Sequence, residues 1–315
     1  MPCTGCQDDV AMKLVSLLPS ATEIVYALGL GDALVGVTDE CDHPPEAVTK
    51  PVVSRSALSA GRPLSAREID EAVRGRLDGQ QPLYVLDTDL LRREHPEVVL
   101  TQDLCRVCAV PSGQVQQALD SLGLPDAKVV SLDPNTLDEV IGQMDVVGKL
   151  LDRTEEAASL TATLRARVAR VKEIASRLPM LNVFCMEWSD PPFVAGHWVP
   201  EMVEAAAGVN LLSEKGGPSR TVTHREIRDG NPEVIVFMPC GYYLEEAEEE
   251  AATVFQHPEL RETPAVRNGN VFAVDATSYF SRPGPRIVDG LEILAWAMHP
   301  DAFPEPPAGT ISRIG

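Results

Sequence analysis

The sequence has little positive charge and few aromatic side chains. Its 315 residues contain 27 lysines and arginines against 47 aspartates and glutamates, a net charge of −20, and only 5% of the residues are aromatic. A surface this acidic repels phosphate groups, which argues against nucleic acid as a partner and against an anionic membrane surface. The charge is most simply explained by the solubility that it confers.

Long apolar runs and common catalytic motifs are also missing. No stretch of about 18 apolar residues occurs, which argues against a transmembrane helix. The opening residues, MPCTGCQDDVA, have neither the basic region nor the apolar core of a signal peptide, so we expect a cytoplasmic protein. There is no HExxH zinc motif, no P-loop and no GxSxG nucleophile motif. We therefore expect a binding protein rather than an enzyme.

Strand-like apolar runs and amphipathic helical segments alternate along the chain. This alternation indicates mostly parallel sheets with helices on both faces. Apolar residues at spacings of three and four also predict a long helix from about Thr154 to Leu178. We predict two Rossmann-like α/β lobes with this helix between them. The predicted boundaries are residues 12–133 for the N-terminal lobe, 134–179 for the linking helical segment, 180–300 for the C-terminal lobe, and 1–11 and 301–315 for two tails.

Three local sequence features lead to further structural predictions. Ser20-Ala-Thr-Glu23 has the spacing of a capping box and predicts a helix that ends before Gly29. Residues 50–80 are rich in arginine, glycine, serine and proline, and we expect an insertion on the first lobe. The acidic run Glu245–Glu250 predicts a solvated helix face.

Four of the seven cysteines follow predicted strands. In open α/β folds, ligands bind beyond the carboxyl ends of the strands, and converging thiolates bind zinc, iron or iron–sulfur clusters. The four cysteines could therefore bind a metal ion or a cluster as thiolates. They could equally be small apolar side chains that fill the core. The candidate metal ligands are Cys41, Cys105, Cys108 and Cys240.

Two cysteine pairs have the CxxC spacing. Cys105 and Cys108 could form half of a metal site, or a redox dithiol at the start of a helix. Cys3 and Cys6 lie near the start of the chain and could add ligands to the same site. Cys41 lies among three acids and a histidine, which fits either a metal-binding loop or a polar surface loop.

Aromatic side chains cluster in the loops of the predicted C-terminal lobe. Such side chains offer large apolar contact to a flat ligand, and they could equally pack in the core between the lobes. The candidate ligand contacts among them are Trp188, Phe193, Trp198, Tyr242, Tyr279 and Phe280.

The segment LVSLLPSATEIVYALGLGDALVGVTDECDHPP, residues 14–45, resembles the opening of periplasmic-type cobalamin-binding proteins. The segments EWSDPPFVAG, 187–196, and YFSRPGPR, 279–286, are similar to the same family. The resemblance covers roughly residues 13–299. It implies the class III substrate-binding-protein fold, also called the helical backbone metal receptor, in which one long rigid helix joins two lobes. Related lobes bind iron siderophores, haem and metal ions.

The resemblance also implies a ligand and a partner. Its implied ligand is a corrinoid or another metal chelate, held in a cleft between the lobes by Pro19, Trp188, Phe193, Tyr279 and Phe280. Transport receptors of this kind dock on a permease through an acidic residue on each lobe. This chain has Ser281 where the second acid is expected, which argues against docking.

A cytoplasmic, cysteine-rich subgroup of the family is similar throughout, with ECD, MPCG and YFxRPGPR motifs. The leading hypothesis is therefore a non-enzymatic cytoplasmic protein that binds a corrinoid or other metal chelate. The alternative is a metal or iron–sulfur protein that uses the four cysteines, and a dithiol redox enzyme is a third hypothesis.

Overall fold

The computed structural model describes residues 12–58, 64–104 and 109–314. They form two compact units: the first contains residues 12–57, 82–104 and 109–133, and the second contains residues 58, 64–81 and 134–314. Residues 64–81 thus pack with the second unit, whereas the sequence suggested that residues 50–80 are an insertion on the first lobe. Within the described residues, no helix is both long enough and apolar enough to cross a membrane.

The first unit is built on a six-stranded sheet with the strand order β4-β3-β2-β1-β5-β6. All neighbouring strands are parallel except β3 and β4, which are antiparallel. The central strands are continuous apolar runs because helices cover both faces of a parallel sheet. The strands are β1 (Leu14–Ser16), β2 (Leu34–Thr38), β3 (Val52–Ser56), β4 (Tyr84–Leu86), β5 (Val98–Thr101) and β6 (Lys128–Ser131).

Four α-helices of the described residues lie before residue 134, and one of them belongs to the second unit. Helix α1 begins at Pro19, whose fixed φ suits the first helical position, and not at the predicted Ser20. Its N-cap is Leu18, which has no side-chain capping bond. The helices are α1 (Pro19–Ala27), α2 (Ala66–Asp78, second unit), α3 (Thr88–Glu94) and α4 (Ser112–Ser121).

The second unit contains a seven-stranded mixed sheet in the order β10-β8-β7-β11-β12-β13, with β9 also paired to β7. The central strands β7, β11 and β12 are parallel, and β8, β10 and β13 add antiparallel edges. Residues 301–315 were predicted to be a tail, but β13 pairs with β12 along four residues. The strands are β7 (Leu181–Ser189), β8 (Pro192–Val194), β9 (Gly208–Asn210), β10 (Arg220–Thr221), β11 (Val234–Phe237), β12 (Val271–Val274) and β13 (Ile311–Ile314).

The helices of the second unit include the long helix of the sequence prediction. This helix, α6, has 22 residues and is therefore about 33 Å long at about 1.5 Å per residue. It packs closely on α5, where a Cβ on Gly148 would lie 2.3 Å from the Ala157 methyl group. The helices are α5 (Leu137–Leu150), α6 (Thr154–Ala175), α7 (Val199–Ala205), α8 (His224–Asp229), α9 (Leu244–Val254), α10 (Pro258–Arg261), α11 (Pro264–Arg267), α12 (Ala276–Tyr279) and α13 (Ile287–Met298).

The predicted fold class is confirmed. The chain has two α/β units, each with parallel central strands, and one long helix lies between the two alternating segments in the sequence. On one face of the second sheet, side chains of the central strands such as Phe184, Met186 and Phe237 form a core cluster with helices α8 to α11. This core fixes the positions at which the central strands end.

Candidate functional site

Three half-buried aromatic side chains lie near the carboxyl ends of the central strands in the second unit. Trp188 is near the end of β7, Phe193 is opposite it on β8, and Tyr242 follows β11. The ring centroids of Trp188 and Tyr242 are 5.7 Å apart, with an interplanar angle of 75°. Edge-to-face pairs of this kind contribute about 0.5–1.5 kcal/mol beyond their burial. We call these three residues the aromatic cluster.

Protein groups lie against the polar atoms of the cluster. The indole N–H of Trp188 donates to the carbonyl oxygen of Ala66, at 3.3 Å. The Ser189 hydroxyl group donates to the Glu250 carboxylate, whose charge also acts on the Tyr242 hydroxyl group. Burial, followed by the charge of Glu250, raises the pKa of Tyr242. The phenol therefore stays protonated, and the ring faces are the parts of the cluster available to a ligand.

Backbone hydrogen bonds tie the loops after the strands to one another. The N–H of Cys240 donates to the carbonyl oxygen of Glu187 at 3.2 Å, and the N–H of Thr277 donates to that of Tyr242 at 3.0 Å. Gly241 has a φ of +85°, a conformation that glycine adopts without the strain of a Cβ. The turn at Pro239–Tyr242 thereby directs the chain back toward β7, next to Trp188.

Tyr279 lies at the end of α12, with the guanidinium group of Arg286 5.7 Å from its ring centroid. The ring is half-buried. Its carbonyl oxygen approaches α13 so closely that a Cβ on Gly290 would be 2.1 Å away. Gly290 therefore fixes the distance between Tyr279 and α13.

Three predicted ligand contacts offer little surface. Trp198 is 6% exposed and Phe280 is 2% exposed, and the indole N–H of Trp198 donates to the carbonyl oxygen of Phe280 at 2.9 Å. Pro19, in the first unit, is also buried. For these residues the packing alternative fits the structure better, because a ligand cannot reach a side chain that the core covers.

Glu187 is a half-buried acid next to Trp188 that is not among the predicted ligand contacts. Burial raises the pKa of its carboxyl group, against the lowering effect of bonds with Ser219 and the Gly196 backbone. Its Oε2 atom is shielded from water and has no hydrogen-bond partner among the described residues. The only signal in the sequence was an acid directly after the apolar run Val183–Met186.

The predicted cysteine site is not assembled among the described residues. Cys41 is buried in the first unit, with its Sγ 3.1 Å from the Thr22 hydroxyl oxygen, and Cys240 is half-buried in the second. Cys105 and Cys108 lie outside the described residues, as do Cys3 and Cys6. In the described ranges no three histidine, cysteine, aspartate or glutamate side chains group so as to hold a metal ion. The thiolate-metal and dithiol hypotheses stay predictions without support.

Similar proteins were found along almost the whole chain. Residues 14–277 match the family model described as periplasmic binding protein. A vitamin B12-binding protein of Vibrio cholerae is 24% identical over 286 residues, covering 90% of this chain and 87% of the relative. An uncharacterized ABC transporter substrate-binding lipoprotein of Bacillus subtilis is 25% identical over 303 residues, covering 93% and 82%.

Solved structures of other proteins share the fold of this chain. The crystal structure of a periplasmic heme binding protein from Pseudomonas aeruginosa aligns with a TM-score of 0.72 at 20% identity, covering 96% of this chain and 99% of that chain. These relatives give no support to a distinct cytoplasmic, cysteine-rich subgroup. The family match covers most of the sequence, and the chain belongs to the periplasmic binding protein family.

Proposed function

We propose that this protein binds a corrinoid, within the wider class of metal chelates, and does not transform it chemically. The observation that carries the proposal is the aromatic cluster at the carboxyl ends of the central strands of the second unit. Open α/β sheets bind ligands at this position. A relative named as a vitamin B12-binding protein and a similar fold named as a heme binding protein support a macrocyclic metal chelate as the ligand class.

The chemistry of the cluster suits the face of a macrocycle. The indole N–H of Trp188 already bonds to the protein and needs no polar partner from the ligand, and burial together with a nearby carboxylate keeps the Tyr242 hydroxyl group protonated. Their half-exposed rings, with that of Phe193, can then contact an apolar face, which is how aromatic side chains contribute most to binding.

The state of Tyr242 favours a corrinoid over haem. Tyrosine binds haem iron as a phenolate. Burial and the nearby Glu250 carboxylate raise the pKa of Tyr242, and both therefore oppose its ionisation. A corrinoid brings axial ligands of its own and needs no phenolate from the protein.

Calorimetric titration with cyanocobalamin and, separately, with hemin tests the proposal. We expect cyanocobalamin to bind, and Trp188→Ala and Tyr242→Ala each to weaken binding at least tenfold, or about 1.4 kcal/mol. Tyr243→Ala is the matched control, because Tyr243 is the adjacent, exposed tyrosine and should change affinity less than twofold. Binding of hemin alone would overturn the corrinoid assignment, and binding of neither compound would overturn the proposal.

Two further points belong to the same proposal. The cytoplasmic location remains a prediction, which cell fractionation with an antibody to this protein would test. The sequence argument against permease docking is not confirmed, since one relative is named as an ABC transporter substrate-binding lipoprotein. Fractionation comes first, because the compartment decides which partners the protein can meet.

A further inference from the structure

Helix α2 contacts the aromatic cluster through its first turn. The carbonyl oxygen of Ala66, the first residue of α2, accepts the indole N–H of Trp188 at 3.3 Å. The next residue, Arg67, donates from Nε and Nη2 to the two carboxylate oxygens of Asp190, at 2.9 and 3.1 Å. Asp190 lies two residues after Trp188, in the turn between β7 and β8. Two consecutive residues of α2 therefore bond to the segment that carries the indole ring.

Apolar burial holds α2 only weakly. Of its 13 residues, only Ala66 and Val73 are buried. The bond from Trp188 is also longer than the usual N–H···O distance of about 2.7–3.2 Å, so a small shift of the helix would break it. The two bonds between Arg67 and Asp190 have ordinary lengths and the bidentate geometry that makes arginine–carboxylate pairs directional. This ion pair is therefore the contact best suited to keep Ala66 within reach of the indole.

The place of Arg67 in its own helix supports a role outside that helix. The N-terminus of a helix carries a partial positive charge, which disfavours a cation in the first turn. The start of α2 is already capped, because Ser65 and Glu68 exchange both bonds of a capping box. Arg67 is thus not needed to begin α2, and its bonds to Asp190 lead out of the helix to the loop beside the aromatic cluster.

We propose that Arg67 is a positioning residue for ligand binding, which acts by holding the first turn of α2 against the edge of the Trp188 indole. The inference rests on the proposed function, because the aromatic cluster is the part of the site that contacts the ligand. With its N–H bonded to Ala66, the indole keeps its orientation in the free protein, and its ring face is in place before the ligand arrives. Preorganisation of this kind strengthens binding without adding a contact.

Calorimetric titration of the full chain with cyanocobalamin tests this role through a double-mutant cycle. The variants are Arg67→Ala, Asp190→Ala and the two combined. We expect each single variant to weaken binding about threefold, an effect within the range of an exposed ion pair. The double variant should bind about as well as the weaker single variant, because both substitutions remove the same pair.

Arg74→Ala is the matched control for the cycle. Arg74 is an exposed arginine of the same helix, and it pairs with Asp70, which also belongs to α2. Arg74→Ala therefore removes a similar charge and a similar ion pair without touching the turn between β7 and β8. It should bind cyanocobalamin like the wild type.

Fluorescence of the free protein is the second readout, and it needs no ligand. The chain has three tryptophans, so each spectrum is recorded with and without Trp188→Phe, and the difference isolates Trp188. Arg67→Ala and Asp190→Ala should change this difference spectrum in the same way, because the indole loses its bond to Ala66. Arg74→Ala should leave it unchanged. Arg67→Lys keeps the charge but not the two parallel bonds, and it should recover part of the signal and of the affinity.

Additive losses in the cycle, about ninefold for the double variant, would overturn the inference, because they would show that Arg67 and Asp190 act independently. An unchanged Trp188 difference spectrum in Arg67→Ala would overturn it as well, since the indole would then keep its surroundings without the ion pair. Thermal unfolding identifies any variant that is misfolded. In that case Arg67→Lys tests the same contact with a smaller change.

The fluorescence readout keeps the two proposals distinguishable. If the wild type binds no corrinoid, the proposed function fails, whereas a changed Trp188 spectrum in Arg67→Ala would still support the orientation of the indole by Arg67. If the wild type binds and Arg67→Ala binds equally well, the positioning role fails while the proposed function stands.

Discussion

The packing of Gly290 against Tyr279 predicts a large effect from one methyl group. Gly290 lies inside α13, and an ideal Cβ there would be 2.1 Å from the carbonyl oxygen of Tyr279, where contacts under 3.0 Å are essentially never seen. The neighbouring atom belongs to the backbone, so α12 or α13 must move by about 1 Å to admit the methyl group. Gly290→Ala should therefore lower the free energy of unfolding.

A matched substitution isolates the size of this effect. Gly142, inside α5, has no atom within 4 Å of the position that its Cβ would take. Alanine in a helix interior is favoured over glycine by about 1 kcal/mol, and this gain applies to both positions. Overpacking typically costs about 1–3 kcal/mol, and it applies to Gly290 alone. We expect Gly142→Ala to be up to about 1 kcal/mol more stable than the wild type, and Gly290→Ala to be about 1–3 kcal/mol less stable than Gly142→Ala.

Urea denaturation followed by circular dichroism measures the difference. Because the chain has two units, the midpoints of both variants should be compared within the transition of the second unit. Equal stability of the two alanine variants would refute the reasoning, since it would mean that the Tyr279 carbonyl group yields without cost. A displaced Tyr279 should also change the affinity for the ligand in Gly290→Ala and not in Gly142→Ala.

Other predictions concern ion pairs and titration. Arg167 of α6 donates two hydrogen bonds to the Glu292 carboxylate of α13. Arg167→Ala should therefore lower the free energy of unfolding, measured by urea denaturation, by about 1–2 kcal/mol. Arg165 is more exposed, and Arg165→Ala should lower it by less than about 1 kcal/mol. Burial lowers the pKa of His224 below its usual 6.5. The stability that the buried neutral imidazole contributes is therefore complete above about pH 6.5, and it is lost as the pH falls through the lowered pKa. The loss of stability between pH 7.5 and 5.5 should be smaller in His224→Asn. Burial raises the pKa of Glu187, so the stability that it contributes is present below the usual carboxyl pKa and lost as the pH rises through the raised value. Glu187→Gln should therefore gain stability over the wild type at pH 7.5, with a smaller gain at pH 5.

The sequence predicts the parts of the fold whose patterns are local. Apolar runs such as Val234–Phe237 and Val271–Val274 are strands as expected, because buried parallel strands need no polar face. The strand Ile311–Ile314 has no such run and forms only because β12 offers it a free edge. The placement of α2 also depends on distant contacts, such as the ion pair between Arg67 and Asp190.

Local motifs in this chain are decided by their surroundings. The serine and glutamate of the Ser20-Ala-Thr-Glu23 motif are buried within α1, and the helix begins one residue earlier, at Pro19. The same spacing forms a true capping box at Ser65 and Thr136, where the side chains are free to turn back to the helix start. Spacing alone therefore identifies where a cap can form, and burial decides whether it does.

The candidate site shows the same limit of prediction from sequence. Trp188 and Phe280 both follow predicted strands, yet Trp188 is half-exposed and Phe280 is 2% exposed. Sequence position places an aromatic residue near the end of a strand, but whether it faces solvent depends on what packs over it. Glu250 is the opposite case, because an acidic run gives no sign of which member faces the protein.

The aromatic cluster suggests how the site could bind a metal chelate although the described residues form no metal-ligand group. The indole N–H of Trp188 bonds to the Ala66 carbonyl oxygen, and ionisation of Tyr242 is opposed by burial and by a neighbouring carboxylate. Such a site recognises the shape and apolar face of a ligand, so its strength depends on how well the rings are held before binding. The Ala66 carbonyl group, which accepts the bond from Trp188, is therefore as much a part of the site as the ring that it holds.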